Sequence, residues 1–459
     1  MEQITKPHCG ARLDRLPDCR WHSSMFAIVA FGLLVCWSNA VGGLILAQLK
    51  ALGWTDNSTT ATFSAITTAG MFLGALVGGI IGDKTGRRNA FILYEAIHIA
   101  SMVVGAFSPN MDFLIACRFV MGVGLGALLV TLFAGFTEYM PGRNRGTWSS
   151  RVSFIGNWSY PLCSLIAMGL TPLISAEWNW RVQLLIPAIL SLIATALAWR
   201  YFPESPRWLE SRGRYQEAEK VMRSIEEGVI RQTGKPLPPV VIADDGKAPQ
   251  AVPYSALLTG VLLKCVILGS CVLIAMNVVQ YTLINWLPTI FMTQGINLKD
   301  SIVLNTMSMF GAPFGIFIAM LVMDKIPRKT MGVGLLILIA VLGYIYSLQT
   351  SMLLITLIGF FLITFVYMYV CYASAVYVPE IWPTEAKLRG SGLANAVGRI
   401  SGIAAPYAVA VLLSSYGVTG VFILLGAVSI IVAIAIATIG IETKGVSVES
   451  LSIDAVANK

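Results

Sequence analysis

Apolar runs long enough to cross a bilayer recur along the whole chain, at 24–46, 62–82, 90–108, 112–138, 148–170, 181–202, 259–287, 302–323, 331–348, 352–378, 391–413 and 418–439. A helical span needs about 20 residues. The runs fall as six, a polar stretch and six more. A backbone in lipid must satisfy its own hydrogen bonds, and the period-2 alternation of a barrel is missing, so each run reads as helix. The expected fold is an all-α membrane protein of twelve transmembrane helices in two pseudo-symmetric six-helix bundles, 24–202 and 259–440. Tails at 1–23 and 441–459 and a linker at 203–258 complete the chain.

The polar positions between the runs repeat. Asp83-Lys84-Thr-Gly86-Arg87-Arg88 returns as Asp324-Lys325-Ile-Pro-Arg328-Lys329, 241 residues on. Glu138-Tyr-Met-Pro141, followed by Arg145, returns as Glu380-Ile-Trp-Pro383, followed by Lys387, 242 residues on. Two charge constellations repeated in order at nearly one offset indicate two copies of one membrane unit, a plan typical of transporters.

Composition narrows the class further. The chain is 56% hydrophobic and 12% charged, against about 25% charged in a soluble domain. The net charge of +8 is scattered through short alternate loops and the first 20 residues, which points to the positive-inside bias rather than to nucleic acid. Both termini and the linker are thereby expected in the cytoplasm. The first 20 or so residues are polar and the first apolar run is too long for a signal peptide. The eight cysteines have no metal-type spacing, so free thiols are expected. Residues 211–227 alternate in charge and read as a solvated surface helix, followed by a Pro/Gly/Asp-rich linker.

Glu95, His98 and Arg118 are the ionisable residues most clearly inside spans. Intramembrane charge is costly and points to function. Glu95 and His98 are three apart, on one helix face, and are the candidates for proton relay, with packing or snorkelling the alternative. Asp83, Arg87 and Arg88 form a candidate conformational latch, in which the acid faces a helix end or a basic neighbour. Pro327, standing where the first copy has Gly86, would weaken the second latch. Glu138 with Arg145, and Glu380 with Lys387, lie across Pro-broken helix ends where acid and base can meet; Glu204, Arg207, Asp324 and Arg328 belong to the same candidate gating set. Tyr281, Trp286, Tyr372 and Tyr377 could line a sugar- or polyol-sized pocket or anchor the membrane interface.

These motifs resemble the major facilitator superfamily, in its sugar-porter and metabolite-transporter branches. Gly79 to Arg88 matches the loop between the second and third spans, and Arg118-x-x-x-Gly122-x-Gly124-x-Gly126 the fourth-span motif. Pro203-Glu204-Ser-Pro-Arg207-Trp208-Leu209 and Glu442-Thr-Lys-Gly445 match the sequences after spans six and twelve, with Ile441 where the family has Pro. The seventh span departs from sugar porters, reading Asn277-Val-Val-Gln280-Tyr281-Thr-Leu-Ile-Asn285-Trp286-Leu-Pro288 in place of a Gln-Gln pair and Gly-Ile-Asn. Its Trp-Leu-Pro ending is more similar to the synaptic-vesicle-protein-like branch. The resemblance implies a solute cavity lined by Asn39, Arg118, Asn277, Gln280, Tyr281, Asn285, Trp286, Tyr372 and Asn395. It also places Asn39 where proton-coupled members carry Asp. An amide does not titrate, so the family pattern implies either facilitated diffusion or coupling through Glu95 and His98.

The expected function is secondary transport of a small polar metabolite (a sugar, a polyol or a related organic acid) by alternating access, as symporter or facilitator. A carrier of organic ions, a channel and a non-transporting nutrient sensor are the alternatives; the short C-terminal tail argues against the sensor and the repeated charge pairs against the channel. No phosphate-binding Gly-Lys-Ser/Thr loop, catalytic triad or metal motif is present, so no ATP drive, no enzyme, no cofactor and no metal are expected. The expected partners are the solute, protons if transport is coupled, and lipid, with no nucleic acid. A monomer in the plasma membrane, a bacterial inner membrane, is expected.

Overall fold

The computed structural model describes residues 7–17, 19–141, 145–240, 253–323, 325–383 and 386–443, and these are helical with no strand among them. Nine helices among the described residues are long and apolar enough to cross a membrane. One of the nine, Arg389–Ile439, is two spans merged across Gly417, whose left-handed φ of 64° breaks the helix between them. Two more spans are interrupted and so fall short of that length. The first is Arg20–Val35 and Gly42–Ala51, broken at 36–41, and the fifth is Arg145–Asn157 and Ser159–Leu170, broken at Trp158. Restoring these yields twelve spans at the positions read from the sequence.

The remaining spans are Asn57–Thr85, Arg87–Ala106, Met111–Tyr139, Ala176–Tyr201, Gly260–Thr293, Leu298–Val322, Arg328–Ser347 and Met352–Glu380. The last contains a π-helical turn at Tyr372–Tyr377. The chain gathers into two compact units.

One unit comprises Met1–Ser38, Gly70–Ser159 and Leu184–Gly246. Its second and fourth spans meet along Gly70, Gly74 and Gly78, which lie on Phe119, Val123 and Ala127. A Cβ at Gly74 would collide with the Val123 backbone. Small residues let backbones approach closely where lipid supplies no hydrophobic drive.

Outside the spans, the short helix Cys9–Asp14 packs with Pro206–Ser211 and Tyr215–Thr233. Residues 211–227 read as solvated from their charges, yet Ala218, Met222, Ile225 and Val229 make a buried stripe against Cys9, Leu13 and Leu16. The alternating charges occupy only the other face. Two of them clasp the N-terminal helix: Arg12 bonds Glu226 at 2.7 Å and also Glu219, and Arg15 bonds Glu226 at 2.7 Å.

The other unit comprises Asn39–Ala69, Tyr160–Gln183 and Lys247–Lys459. Its core includes Trp286, Ile290, Val409, Leu413 and Val421, and a second aromatic group in which Tyr372 stacks on Tyr377 with centroids 5.0 Å apart.

Candidate functional site

At the turn between the second and third spans, Gly86 takes a φ of 96°, a conformation that favours glycine. A Cβ there would collide with the Glu204 carboxylate. That carboxylate sits on the start of the third span and accepts from the N–H groups of Arg87 at 2.7 Å and Arg88 at 3.3 Å. The Arg87 side chain reaches Glu138 at 2.9 Å and Asp83 at 2.7 Å. Arg207 donates to the Glu138 carbonyl at 3.0 Å and to Asp14 at 2.9 Å. Trp208 and Arg212 donate to the Asp83 carbonyl at 2.7 and 2.6 Å. Arg88 donates to the Trp199 carbonyl at 2.5 Å. Six of the predicted gating residues thus form one network. The Arg145 side chain lies outside the described residues.

The same arrangement is built again in the second unit. Glu442 accepts from the N–H groups of Arg328 at 2.8 Å and Lys329 at 3.1 Å, and the Arg328 side chain bonds Glu380 at 3.1 and 3.2 Å. Thr443 adds a 2.6 Å bond to Glu380. Glu380 therefore meets Arg328 rather than Lys387, because the helix end that carries it faces the start of the ninth span. Pro327 does not loosen this copy: its φ of −56° suits the residue before a helix and leaves the next two N–H groups free to bond the acid. Glu442 was singled out in the sequence only as part of a terminal motif. The signal for its role is that, like Glu204, it follows the last span of its half. Asp324 lies outside the described residues.

Inside the first unit, five side chains of different chemistry meet at the break in the first span. Arg118 is buried and donates to the Ser38 carbonyl at 2.7 Å. The Ser38 hydroxyl lies 2.7 Å from His98 Nε2. His98 Nδ1 lies 3.6 Å from the Glu95 carboxylate and 3.9 Å from the Cys36 thiol. Glu95 and His98 are both fully buried, and neither Glu95 oxygen accepts a hydrogen bond. Helical residues 36–41 would have spent the Ser38 carbonyl on the helix; the break releases it to the arginine. Asn39, half-buried, turns its own carbonyl to Gly42 N–H at 3.1 Å.

Inside the second unit, the Tyr367 hydroxyl is buried, and its polar neighbours are Gln280, Tyr160 and Tyr281. The Tyr160 and Tyr367 rings meet edge to face at 5.3 Å. The structure thus joins the predicted Gln280 and Tyr281 to two tyrosines that the sequence did not single out, since single aromatics inside apolar runs carry no distinguishing pattern. Asn277 is buried and donates to the Leu273 carbonyl at 2.7 Å, and Asn285 is buried one turn from Tyr281. Trp286 is elsewhere on the seventh span, in an apolar cluster. Tyr372 lies against Gly332, one turn from Arg328, and so belongs with the charge cluster. Asn395 is exposed and donates to the Ser391 carbonyl at 2.9 Å.

Membrane helices of this number and order, with one charge cluster built twice at their ends, belong to the class of secondary transporters that carry small metabolites. Residues 26–406 match the Major Facilitator Superfamily, and the chain belongs to that family. The inner membrane metabolite transport protein YdjE of Escherichia coli (strain K12) is 44% identical over 455 residues, covering 98% of this chain and 99% of its own length. The niacin transporter NiaP of Acinetobacter baylyi is 25% identical and covers 96% of this chain and 99% of its own length. In fold, the chain matches the inward-open xylose transporter XylE from E. coli with a TM-score of 0.74, at 17% identity, over 94% of this chain and 99% of that one.

Proposed function

We propose that this transporter couples movement of a small polar metabolite to a proton held at Glu95 and His98. The observation that carries the reading is Ser38, whose hydroxyl meets His98 and whose carbonyl meets Arg118. Proton uptake by the Glu95–His98 pair makes both imidazole nitrogens donors. The His98–Ser38 bond must then reorient, and the carbonyl that holds Arg118 moves with it. Cys36 and Ser38 of the first span face His98, and Arg118 of the fourth span is reached only through the Ser38 carbonyl. This route needs no acid at Asn39, and none lies anywhere in residues 23–50.

The solute site in this reading is the polar and aromatic set on the seventh and tenth spans, Asn277, Gln280, Tyr281, Asn285 and Tyr367, with Tyr160. The charge clusters around Arg87 and Arg328 act as latches whose opening accompanies alternating access. The two halves are residues 24–202 and 259–440, the repeat offset of their charges being the support. Basic loops support cytoplasmic termini, and the name of the E. coli relative supports a bacterial inner membrane. Function as a monomer completes the reading.

The test is uptake of D-xylose, myo-inositol and nicotinate into reconstituted vesicles under an imposed pH gradient. Uphill accumulation is expected, abolished when the gradient is collapsed and in Glu95→Gln. Accumulation that persists with both Glu95 and His98 replaced would refute the assignment.

A further inference from the structure

Arg207 stands at a junction between the first latch and the N-terminal helix. It lies on the short helix Pro206–Ser211, just after the sixth span. Its Nε donates to the carbonyl of Glu138 at 3.0 Å. That carbonyl belongs to the last turn of the fourth span, Met111–Tyr139. Carbonyls there have no partner within the helix and carry partial negative charge, so a guanidinium suits the position. The Glu138 carboxylate is held by Arg87 at 2.9 Å. Glu138 is thus gripped twice, its side chain by Arg87 and its backbone by Arg207.

The Arg207 guanidinium also rests on the helix Cys9–Asp14. Its Nη2 donates to the Asp14 carboxylate at 2.9 Å and to the Gly10 carbonyl at 3.4 Å. A long cation held by one carbonyl alone keeps most of its rotamers. A carboxylate and a second carbonyl fix it in the capping position beforehand. Six residues are too few to hold a helix by themselves, so Cys9–Asp14 depends on its docking. Arg12 forks onto Glu226 with bonds of 3.0 and 2.7 Å and also reaches Glu219. Arg15 bonds Glu226 at 2.7 Å, and the Cys9 N–H bonds Glu210 at 2.6 Å. Around the second latch the tie comes from elsewhere, Thr443 just past the twelfth span bonding Glu380 at 2.6 Å.

We propose that residues 7–17 are a gating strap and that Asp14 is a positioning residue for the latch: the docked strap sets Arg207 on the end of the fourth span and steadies the Glu138–Arg87 bond, and the undocked strap leaves that bond unsupported and slows transport. The strap bears on the conformational step and not on the solute, because its contacts are with the two surface helices and the latch. The inference rests on the transporter reading and on the latch role of the Arg87 cluster; it does not depend on proton coupling.

The test uses the full-length protein with Cys9 as its sole cysteine. Exchange of labelled nicotinate, myo-inositol and D-xylose is measured in vesicles, beside equilibrium binding of the same probes in nanodiscs. Arg12→Glu combined with Arg15→Glu should undock the strap, seen as fast maleimide labelling of Cys9. Exchange of any probe that the wild type carries should fall about two- to fivefold, the scale of a partly exposed ion pair, with its dissociation constant unchanged. Adding Glu219→Arg and Glu226→Arg should shield Cys9 again and recover most of the rate. Asp14→Ala leaves the clasp through Arg12 and Arg15 alone. It should keep Cys9 slow to label and still lower exchange, a result that a purely structural strap would not give, and it is read even where the charge reversals fail to insert.

A wild-type exchange rate in the undocked protein or in Asp14→Ala would overturn the proposal. So would a rate that falls in step with solute affinity, or one that stays low after the reversed quartet has shielded Cys9. These outcomes leave the transporter reading intact. A wild type that exchanges none of the three probes would count against that reading and against the strap with it.

Discussion

The carboxylates of Glu204 and Glu442 hold the same post in two places, each accepting from two successive N–H groups at the start of a helix. The distances are 2.7 and 3.3 Å to Arg87 and Arg88, and 2.8 and 3.1 Å to Arg328 and Lys329. The first turn of a helix carries unpaired N–H groups and a partial positive charge, and an acid placed there contributes up to about 2 kcal/mol. Glu204→Gln and Glu442→Gln should each remove about 1 kcal/mol from the state in which these contacts form. That is a several-fold change in exchange rate, with solute affinity changed much less. Exchange of labelled solute in vesicles, set beside equilibrium binding, measures both; unaltered exchange in both variants would remove the gating role.

Asp83→Asn should slow transport far more than it weakens solute binding. The Asp83 side chain is 65% exposed and its pair with Arg87 is worth little to stability. Arg87, however, divides its donors between Asp83 and Glu138, so loss of one partner alters how the latch closes. An unchanged melting temperature with a reduced rate is the expected result. Wild-type exchange would sink the idea.

Arg328 and Glu380 should behave as a coupled pair. Arg328→Glu and Glu380→Arg should each impair transport, and the double swap should recover part of it, a coupling of about 0.5–3 kcal/mol in a double-mutant cycle. The same cycle between Glu380 and Lys387 should show coupling close to zero. Equal coupling in the two cycles would mean that Lys387 shares the acid.

Gly86→Ala should be far more damaging than Gly79→Ala. The first puts a Cβ into the Glu204 carboxylate at a positive φ; the second meets nothing within 4 Å. A loss of about 1–3 kcal/mol is expected for Gly86→Ala, against a few tenths or a small gain for Gly79→Ala in its helix. Thermal unfolding of the purified variants in detergent decides the matter.

The N-terminal clasp should hold across the physiological pH range. Burial, then the Glu210 carboxylate, pushes the Cys9 thiol up to about 12, so it stays protonated and hidden. Against the cost of burial, the bonds from Arg12 and Arg15 hold Glu226 below the usual carboxylate range. A depressed carboxylate stabilises above its unfolded value, near ~4.3, and that contribution is lost as pH falls through the lower folded value. Maleimide labelling of a variant with Cys9 as its sole cysteine should be slow throughout pH 5–8 once the thiolate fraction is normalised, and much faster in Glu226→Gln. Equal rates in the two proteins would show that the clasp does not shield the thiol.

The spans were legible because hydrocarbon imposes one simple demand, and runs of about 20 apolar residues meet it. The separation of the eleventh span from the twelfth between 413 and 418 was legible too, and Gly417 breaks the helix there. The break in the first span was not, because Cys36-Trp37-Ser38 continues an apolar run and its interruption depends on tertiary bonds to Arg118 and His98. The proton candidates were legible as charges out of place; that Ser38 links them to Arg118 was not, since the three lie on different helices. The six residues of Cys9–Asp14 are too few to show a period, so the helix and its clasp were hidden as well.

The π-helical turn at Tyr372–Tyr377 explains a small arithmetic mismatch between the halves. Arg87 and Glu138 are 51 residues apart, and their counterparts Arg328 and Glu380 are 52 apart. The extra residue falls between Met352 and Glu380, the stretch in which the chain loops once with i→i+5 bonding. A π-turn takes in one residue without adding a full step along the axis. The extra residue is thus absorbed as a local swelling of the coil, and the acid still arrives at its arginine. Deleting one residue from this turn should yield a plain α-helix with the Arg328–Glu380 bond intact.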